Sequence, residues 1–376
     1  MSELGIITRT ILPATVPFDL ARTLRAVKDF RPGQGDIALD PGRWVRRVFP
    51  HPSDPGAAIA AEVAARDDGV PGVGLTLFSE EPLRGPDLDA ARARVAAWLG
   101  LDDDLTEFLE RAAADPAMEP LLAVARGLHM VRFPTLAEGV VYYALAQNST
   151  PWYATLIKRR LAAHLGVTVT AGGDEFAALP QLPRLAELTP FELVPFVGGR
   201  PRADRVASII GGVAALDEEL LRTGPYGQAR AALLAVRGIG EYTAQSLLLR
   251  ALGRPDAVPL EQAQHGHTVQ AVYGERGGPS PDELRDRYGP WIGWWAYLCR
   301  TALSWLEEDR RQLERARRRT PAPRRPRPVP GSTRPRSKRP PAPWSPNDPG
   351  RAAAADGPEV HGGPTAAVDG AAAAAS

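Results

Sequence analysis

Residues 228–262 read QARAALLAVRGIGEYTAQSLLLRALGRPDAVPLEQ, and the organisation of the chain follows from this stretch. Leu233, Leu234 and Val236 precede a glycine-hinged turn, and Ala244, Leu247, Leu248 and Ala251 follow it at the spacing of one helix face. The pattern predicts two helices joined by Gly238-Ile239-Gly240. Both glycines can adopt φ > 0 and carry no Cβ, so a ligand can approach the turn's backbone closely. The second helix begins at the turn, which aims its unpaired N–H groups and positive dipole end outward, a geometry suited to a phosphate.

The run resembles the helix-hairpin-helix of the DNA glycosylase superfamily named after it, in which a Gly/Pro-rich loop and an acid follow the hairpin. Leu234, Gly238, Ile239, Gly240, Thr243 and Ala244 carry the resemblance, with Pro259, Leu260 and Glu261 downstream. Any tight helix–helix turn can use GIG; an acid 21 residues after Gly240 makes the run more specific. The stretch is most similar to the alkyl-base (3-methyladenine type II) branch, while AVPLE also resembles the AVPVD of 8-oxoguanine glycosylases. The usable resemblance covers roughly residues 120–305. It implies a mainly α fold, a helical glycosylase domain beside a small N-terminal α+β domain. It also implies that Gly238, Ile239, Gly240, Tyr242 and Thr243 grip the backbone of double-stranded DNA. The implied activity is excision of damaged, alkylated bases in base excision repair.

The 376 residues suffice for two domains with sizeable cores, and 44% apolar with 24% charged residues is a globular composition. No apolar run is long enough to span a membrane. The start, MSELGIITRT, lacks a charged-then-apolar leader, and the lone Cys299 fits a reducing compartment, so a cytoplasmic, monomeric protein is expected. Cys299 sits among Trp295, Tyr297, Leu298 and Leu303 and reads as a buried packing thiol. Net charge is +1, unevenly spread: residues 317–339 hold ten Arg and Lys and no acid. One basic and four acidic residues follow, which leaves 34 basic and 40 acidic side chains in residues 1–316, or −6. Charge alone would not suggest a nucleic-acid partner.

Residues 1–103 read as the α+β unit. Ile6 to Leu12 predicts a strand, residues 17–27 an amphipathic helix, and Trp44 to Phe49, Ala58 to Val63 and Val73 to Phe78 three more strands before a helix over 88–99. From Leu101 the pattern is helical: 105–113, 118–126, a helix ending near Asn148, 152–165, one long helix over 200–222, the hairpin, 269–273, and 291–308. The helical domain is placed at 104–312. Residues 313–376, Pro/Arg-rich and then Ala/Gly-rich, are expected to be a disordered tail. The tail either adds salt-sensitive DNA affinity or has no selected role.

A glycosylase must hold its target base outside the stack and stabilise a sugar cation as the glycosidic bond breaks. The resemblance assigns that task to Glu261, where the family nearly always has Asp. The extra methylene shifts the carboxylate, and misplacement of about 1 Å can cost on the order of 100-fold in rate. Glu261 is then a competent acid, a slow one, or the mark of a lesion-binding module without catalysis; Asp256 is a further candidate acid. Gln262 stands where an ungapped match to the alkyl-base branch puts the acid. Bifunctional relatives carry a lysine two residues after the second hairpin glycine; Tyr242 occupies that place, which implies hydrolysis without strand cleavage.

Aromatic side chains suit a pocket for a flipped base, especially a cationic one. Candidates are Tyr142, Tyr143, Trp152, Tyr153, Trp291, Trp294 and Trp295, although aromatics at helical spacing more often form core, as Trp305 is expected to do. Gln147 and Asn148 match the position from which relatives fill the gap left by the base; Asn148 also reads as a helix cap. His265 and His267 lack the further ligands of a zinc site and are expected at the surface or facing DNA. No C-x2-C pattern is present, so no iron–sulfur cluster is expected. The resemblance allows a monovalent cation at the carbonyls of Val236 and Ile239.

Overall fold

The computed structural model describes residues 2–274 and 277–319. The chain opens with β1 (Ser2–Glu3), β2 (Ile6–Pro13), α1 (Leu20–Asp29), β3 (Ile37–Asp40), β4 (Trp44–Pro50), β5 (Ala58–Ala64), β6 (Gly72–Ser79) and α2 (Gly85–Leu99). Strands β2 to β6 form an antiparallel sheet in the order β2-β6-β5-β4-β3. Alternation decides its faces: Val45, Val63, Val73, Leu75 and Leu77 join the main core. The Asp19 carboxylate accepts from the Arg22 N–H and caps α1, whose Leu24 and Val27 pack into the same core.

Helices dominate the remainder: α3 (Thr106–Ala113), α4 (Glu119–Ala125), α5 (Leu136–Ala146) and α6 (Pro151–Leu165). Next come β7 (Val167–Ala171) and β8 (Asp174–Ala178), then α7 (Leu182–Ala186), α8 (Pro190–Val197), α9 (Arg200–Ala214), α10 (Glu218–Thr223), α11 (Tyr226–Leu234), α12 (Glu241–Arg250), α13 (Ala263–Tyr273), α14 (Pro281–Tyr288) and α15 (Ile292–Arg319). Helix α5 is buried at every position from Leu136 to Leu145, as expected of a helix apolar all round. Its one charged residue, Glu138, pairs with Arg47 of β4 and with Lys158 of α6, and so ties sheet and helices together.

Three expectations need correction. The helical region contains a β-hairpin, β7–β8, turned by Gly172 and Gly173 at φ 56° and 87°. It adds β1 in parallel as a third strand and packs Val169, Phe176 and Ala178 against Val48, Ala60 and Phe78 of the larger sheet. The single helix expected over 200–222 is two, because Asp217 accepts from the Glu219 N–H and starts α10 afresh. Helix α15 continues to Arg319, past residue 313 where the tail was expected to begin. The rest of that expected tail, residues 320–376, lies outside the described residues. Residues 1–310 form one compact unit. Among the described residues no helix is long and apolar enough to cross a membrane.

Candidate functional site

Helices α11 and α12 enclose the turn at residues 235–240. Ala244, Leu247 and Leu248 of α12 are fully buried, and Gly139 of α5 lies so close that a Cβ on it would sit 2.9 Å from that of Ala251. Each such leucine contributes about 1.5–3 kcal/mol by leaving water. The turn is fixed from two sides: Gln147 Nε2 donates to the Gly238 carbonyl at 2.8 Å and Ser208 Oγ to the Arg237 carbonyl at 3.3 Å.

The two hairpin glycines differ. Gly238 sits at φ 97°, a left-handed conformation. Gly240 is extended, at φ −101° and ψ 178°, so only Gly238 uses the positive-φ region that is open to both. It is the N-cap of α12, no side chain caps that end, and a Cβ placed on it would meet nothing within 4 Å. Nothing inside the protein requires glycine at 240, whose bare backbone is exposed at the uncapped start of α12.

Behind the turn lies a cavity of about 580 Å³. Tyr142 and Tyr143 of α5, Tyr242 of α12 and Tyr297 of α15 line it, and Phe30 at the end of α1 brings in the N-terminal unit. Burial pushes the Tyr142 hydroxyl pKa up to about 12 and raises that of Tyr143 further, so both stay protonated. Val258 and Pro259 form part of the wall, as do Gln264 and His265 at the start of α13.

No family model matches the chain. Over 202 residues it is 28% identical to a DNA-3-methyladenine glycosylase of Bacillus subtilis, matching 53% of this chain and 67% of that protein. Over 178 residues it is 34% identical to a probable bifunctional transcriptional activator/DNA repair enzyme AlkA of Mycobacterium tuberculosis, covering 46% of this chain and 34% of that protein. The chain thus spans about two thirds of one relative and one third of the other. In fold it is similar to a 3-methyladenine DNA-glycosylase from Archaeoglobus fulgidus, at a TM-score of 0.60, 18% identity and 78% and 98% coverage of the two chains. It is also similar to a Clostridium acetobutylicum 8-oxoguanine glycosylase/lyase in complex with double-stranded DNA, at a TM-score of 0.55, 16% identity and 81% and 99% coverage. The chain has the fold of the helix-hairpin-helix DNA glycosylases.

The expected site residues divide. Tyr143 and Tyr242 line the cavity, and so does Trp305, which had been expected in the core alone. Its indole is 1% exposed yet its Nε1 donates to Asp29 at the cavity wall. Trp291 and Trp294 do not line the cavity: Trp294 is core, its ring centroid 6.0 Å from that of Phe108 and 5.7 Å from that of Tyr297. Trp152 is 72% exposed at the start of α6, while its neighbours Ser149 and Pro151 reach the cavity. Gln147 is tied to the hairpin, so of the two gap-filling candidates Asn148, exposed at φ 53°, is the freer.

Ile239 and Thr243 are buried, which leaves only their backbone for any DNA contact. The Val236 carbonyl already accepts from the Ile239 N–H at 3.0 Å. Cys299 is buried 3.6 Å from the Met118 sulfur. His265 is not a surface residue; it is 4% exposed in the cavity wall, its Nδ1 has no hydrogen-bond partner, and burial pushes its pKa down to about 4.

Glu261 does not line the cavity. It follows wall residues Val258 and Pro259, but its side chain is 64% exposed and turned to Arg285, with which it pairs. The hydrogen bond from Arg285 holds the carboxyl below its ordinary pKa, so it is ionised at neutral pH. Gln262 occupies the N-cap of α13, and its Oε1 accepts from Gln264 at 3.2 Å. Asp256 lies 3.9 Å from Arg254 and also stays out of the cavity lining. The one carboxylate on the wall among the described residues is Asp29, the last residue of the amphipathic α1, which no sequence motif singles out.

Proposed function

We propose that the protein excises alkylated bases from double-stranded DNA by hydrolysing the N-glycosidic bond. The observation that carries this reading is the adjacency, along α12, of an open glycine-capped N-terminus at Gly240 and a tyrosine-lined cavity that begins with Tyr242. The N–H groups at residues 240–242 hold a phosphate; the base of a neighbouring nucleotide turns out of the stack into the cavity and rests against tyrosine rings. The names of the relatives, one a 3-methyladenine glycosylase and one a probable DNA repair enzyme, support the same class of activity.

Cleavage breaks the C1′–N bond, the base departs with the electron pair, and water adds to the resulting sugar cation. Glu261 is assigned the carboxylate role. It is ionised and exposed, and its pairing with Arg285 is worth only about 0–1 kcal/mol, so it can exchange Arg285 for the developing cation at little cost. Tyr242 stands where a lyase would need an amine, and a phenol forms no Schiff base. The product is an abasic site in an uncut strand.

The test uses a duplex with a single alkylated base. Wild-type protein is expected to release free base and leave a strand that breaks only on alkali treatment, whereas Glu261→Gln retains binding and loses release. Full release by Glu261→Gln removes that residue from the chemistry. Duplex binding without release of any alkylated base, by wild type, would assign the chain to lesion binding alone.

A further inference from the structure

Helix α12 lines the cavity with Tyr242, Gln245, Ser246, Leu249 and Arg250. Gln245 follows Tyr242 by three residues, so the two side chains are neighbours on one helix face and meet the same enclosed volume. The Gln245 amide is held in one orientation. Its Nε2 donates to Glu241 Oε1 at 2.6 Å, and the same oxygen accepts from Arg230 Nε at 2.6 Å. A carboxylate oxygen paired with a guanidinium accepts and cannot donate, so the amide nitrogen must face Glu241 and the amide oxygen must face away. That oxygen, Oε1, is buried, in a residue only 8% exposed, and has no hydrogen-bond partner within the protein. On the wall of the same cavity, His265 Nδ1 also has none. An acceptor buried without a donor is costly and rare, which marks Oε1 as a group kept for a ligand.

Resting on the glycosylase reading above, we propose that Gln245 determines specificity: its Oε1 accepts a hydrogen bond from an N–H on the edge of the base held in the cavity. The acceptor is anchored through Glu241, the first residue of α12, next to Gly240 where the phosphate is held. The element that grips the strand thus also fixes the group that inspects the base. A base that brings an N–H satisfies Oε1. One whose edge nitrogens carry no hydrogen leaves it desolvated and unpaired, and a site built around a hydrogen bond discriminates strongly against an analogue that cannot make it. The choice turns on donors, not on formal charge.

The full-length protein tests this with two duplexes, one carrying 7-methylguanine, which keeps a 2-amino group, and one carrying 1,N6-ethenoadenine, which has no N–H on its edge. Single-turnover release of each base is measured for wild type and for Gln245→Met, which keeps the side chain's length and lacks the acceptor. The two bases differ as leaving groups, so the quantity compared between proteins is the ratio of methylguanine release to ethenoadenine release. Gln245→Met is expected to lower that ratio by about tenfold, the effect of one lost hydrogen bond. A ratio that stays the same or rises, whether both rates fall together or neither changes, overturns the inference and leaves the glycosylase reading standing. No release of either base by wild type overturns both. If Gln245→Met does not fold, Glu241→Gln decides. The Glu241 side chain is 41% exposed, and an amide in its place can donate as well as accept, so the Gln245 oxygen is no longer forced away from it. The ratio is then expected to fall by at least about threefold, and an unchanged ratio overturns the inference.

Discussion

Gly238 and Gly240 lie two residues apart and are glycine for different reasons. At Gly238 the backbone is left-handed and an added Cβ would lie 3.0 Å from Ile209 Cγ1. Gly238→Ala should therefore lose about 1–2 kcal/mol of stability from backbone strain, with a further loss if Ile209 cannot move. At Gly240 neither strain nor clash opposes a methyl group, so Gly240→Ala should unfold within about 1 kcal/mol of wild type. Its methyl group would nevertheless stand where a phosphate approaches, and duplex affinity should fall about tenfold. Thermal unfolding and duplex titration on the two variants separate internal from external need; unchanged affinity in Gly240→Ala would remove this turn from the DNA interface. Arg285 permits a second test at the same scale. Its exposed bond to Glu261 holds that carboxylate outside the cavity, so Arg285→Ala should leave the fold intact and raise single-turnover base release up to about fivefold, the span of an exposed ion pair. A tenfold fall instead would mean that Arg285 itself meets the substrate.

Among elements, a buried ion-pair cluster joins sheet and helices. Glu138 on α5 pairs with Arg47 of β4 and, at 3.1 Å, with Lys158 of α6; Lys158 also binds Asp36, which precedes β3. The Arg47, Glu138 and Lys158 side chains are 3%, 6% and 2% exposed, so removing the Glu138 charge leaves two buried cations to share Asp36, which pairs with Lys158 and lies 3.6 Å from Arg47. Glu138→Gln should cost about 3–5 kcal/mol, read from the denaturant midpoint at neutral pH. Burial alone would raise the Glu138 pKa, but the charges and hydrogen bonds of Arg47 and Lys158 outweigh it and hold the pKa below 4.5. The unfolded chain thus takes up this proton at higher pH than the folded one, so the stabilisation is complete above about 4.5 and fades as pH falls through the folded value. The gap between wild type and Glu138→Gln should therefore narrow in acid; a gap independent of pH would place the cost in packing.

Sequence periodicity exposed β2, β4, β5, β6 and most of the helices, because each has a local two- or 3.6-residue pattern. It missed β7 and β8, whose five-residue runs are stabilised by β1 and the larger sheet from the far end of the sequence. The site divides along the same line. The hairpin is written in contiguous residues and could be read, whereas the cavity joins Asp29 to Trp305, 276 positions apart. Spacing placed Trp291, Trp294 and Trp295 on one helix but could not say that α3, through Phe108, covers Trp294. Nor could it turn the Glu261 side chain, since Arg285 lies on a separate helix.

At the scale of the whole chain, charge and architecture pull apart. Residues 1–316 carry net −6, so duplex binding by that part relies on oriented backbone dipoles and local cations rather than on overall field. Residues 320–376 contain eight Arg and Lys, seven of them in 324–339. Each of these that neutralises a phosphate releases counterions and steepens the fall of log affinity with log salt by about 0.9. Ending the chain after Arg319 should thus make the salt dependence shallower by between about 1 and 7, weaken binding most at low salt, and leave single-turnover base release at saturating protein unchanged. The measurement is duplex affinity across a salt series for both lengths of chain. Parallel lines would mean that the basic segment does not touch DNA, and a lower saturated rate in the shorter chain would mean that it does more than hold the duplex.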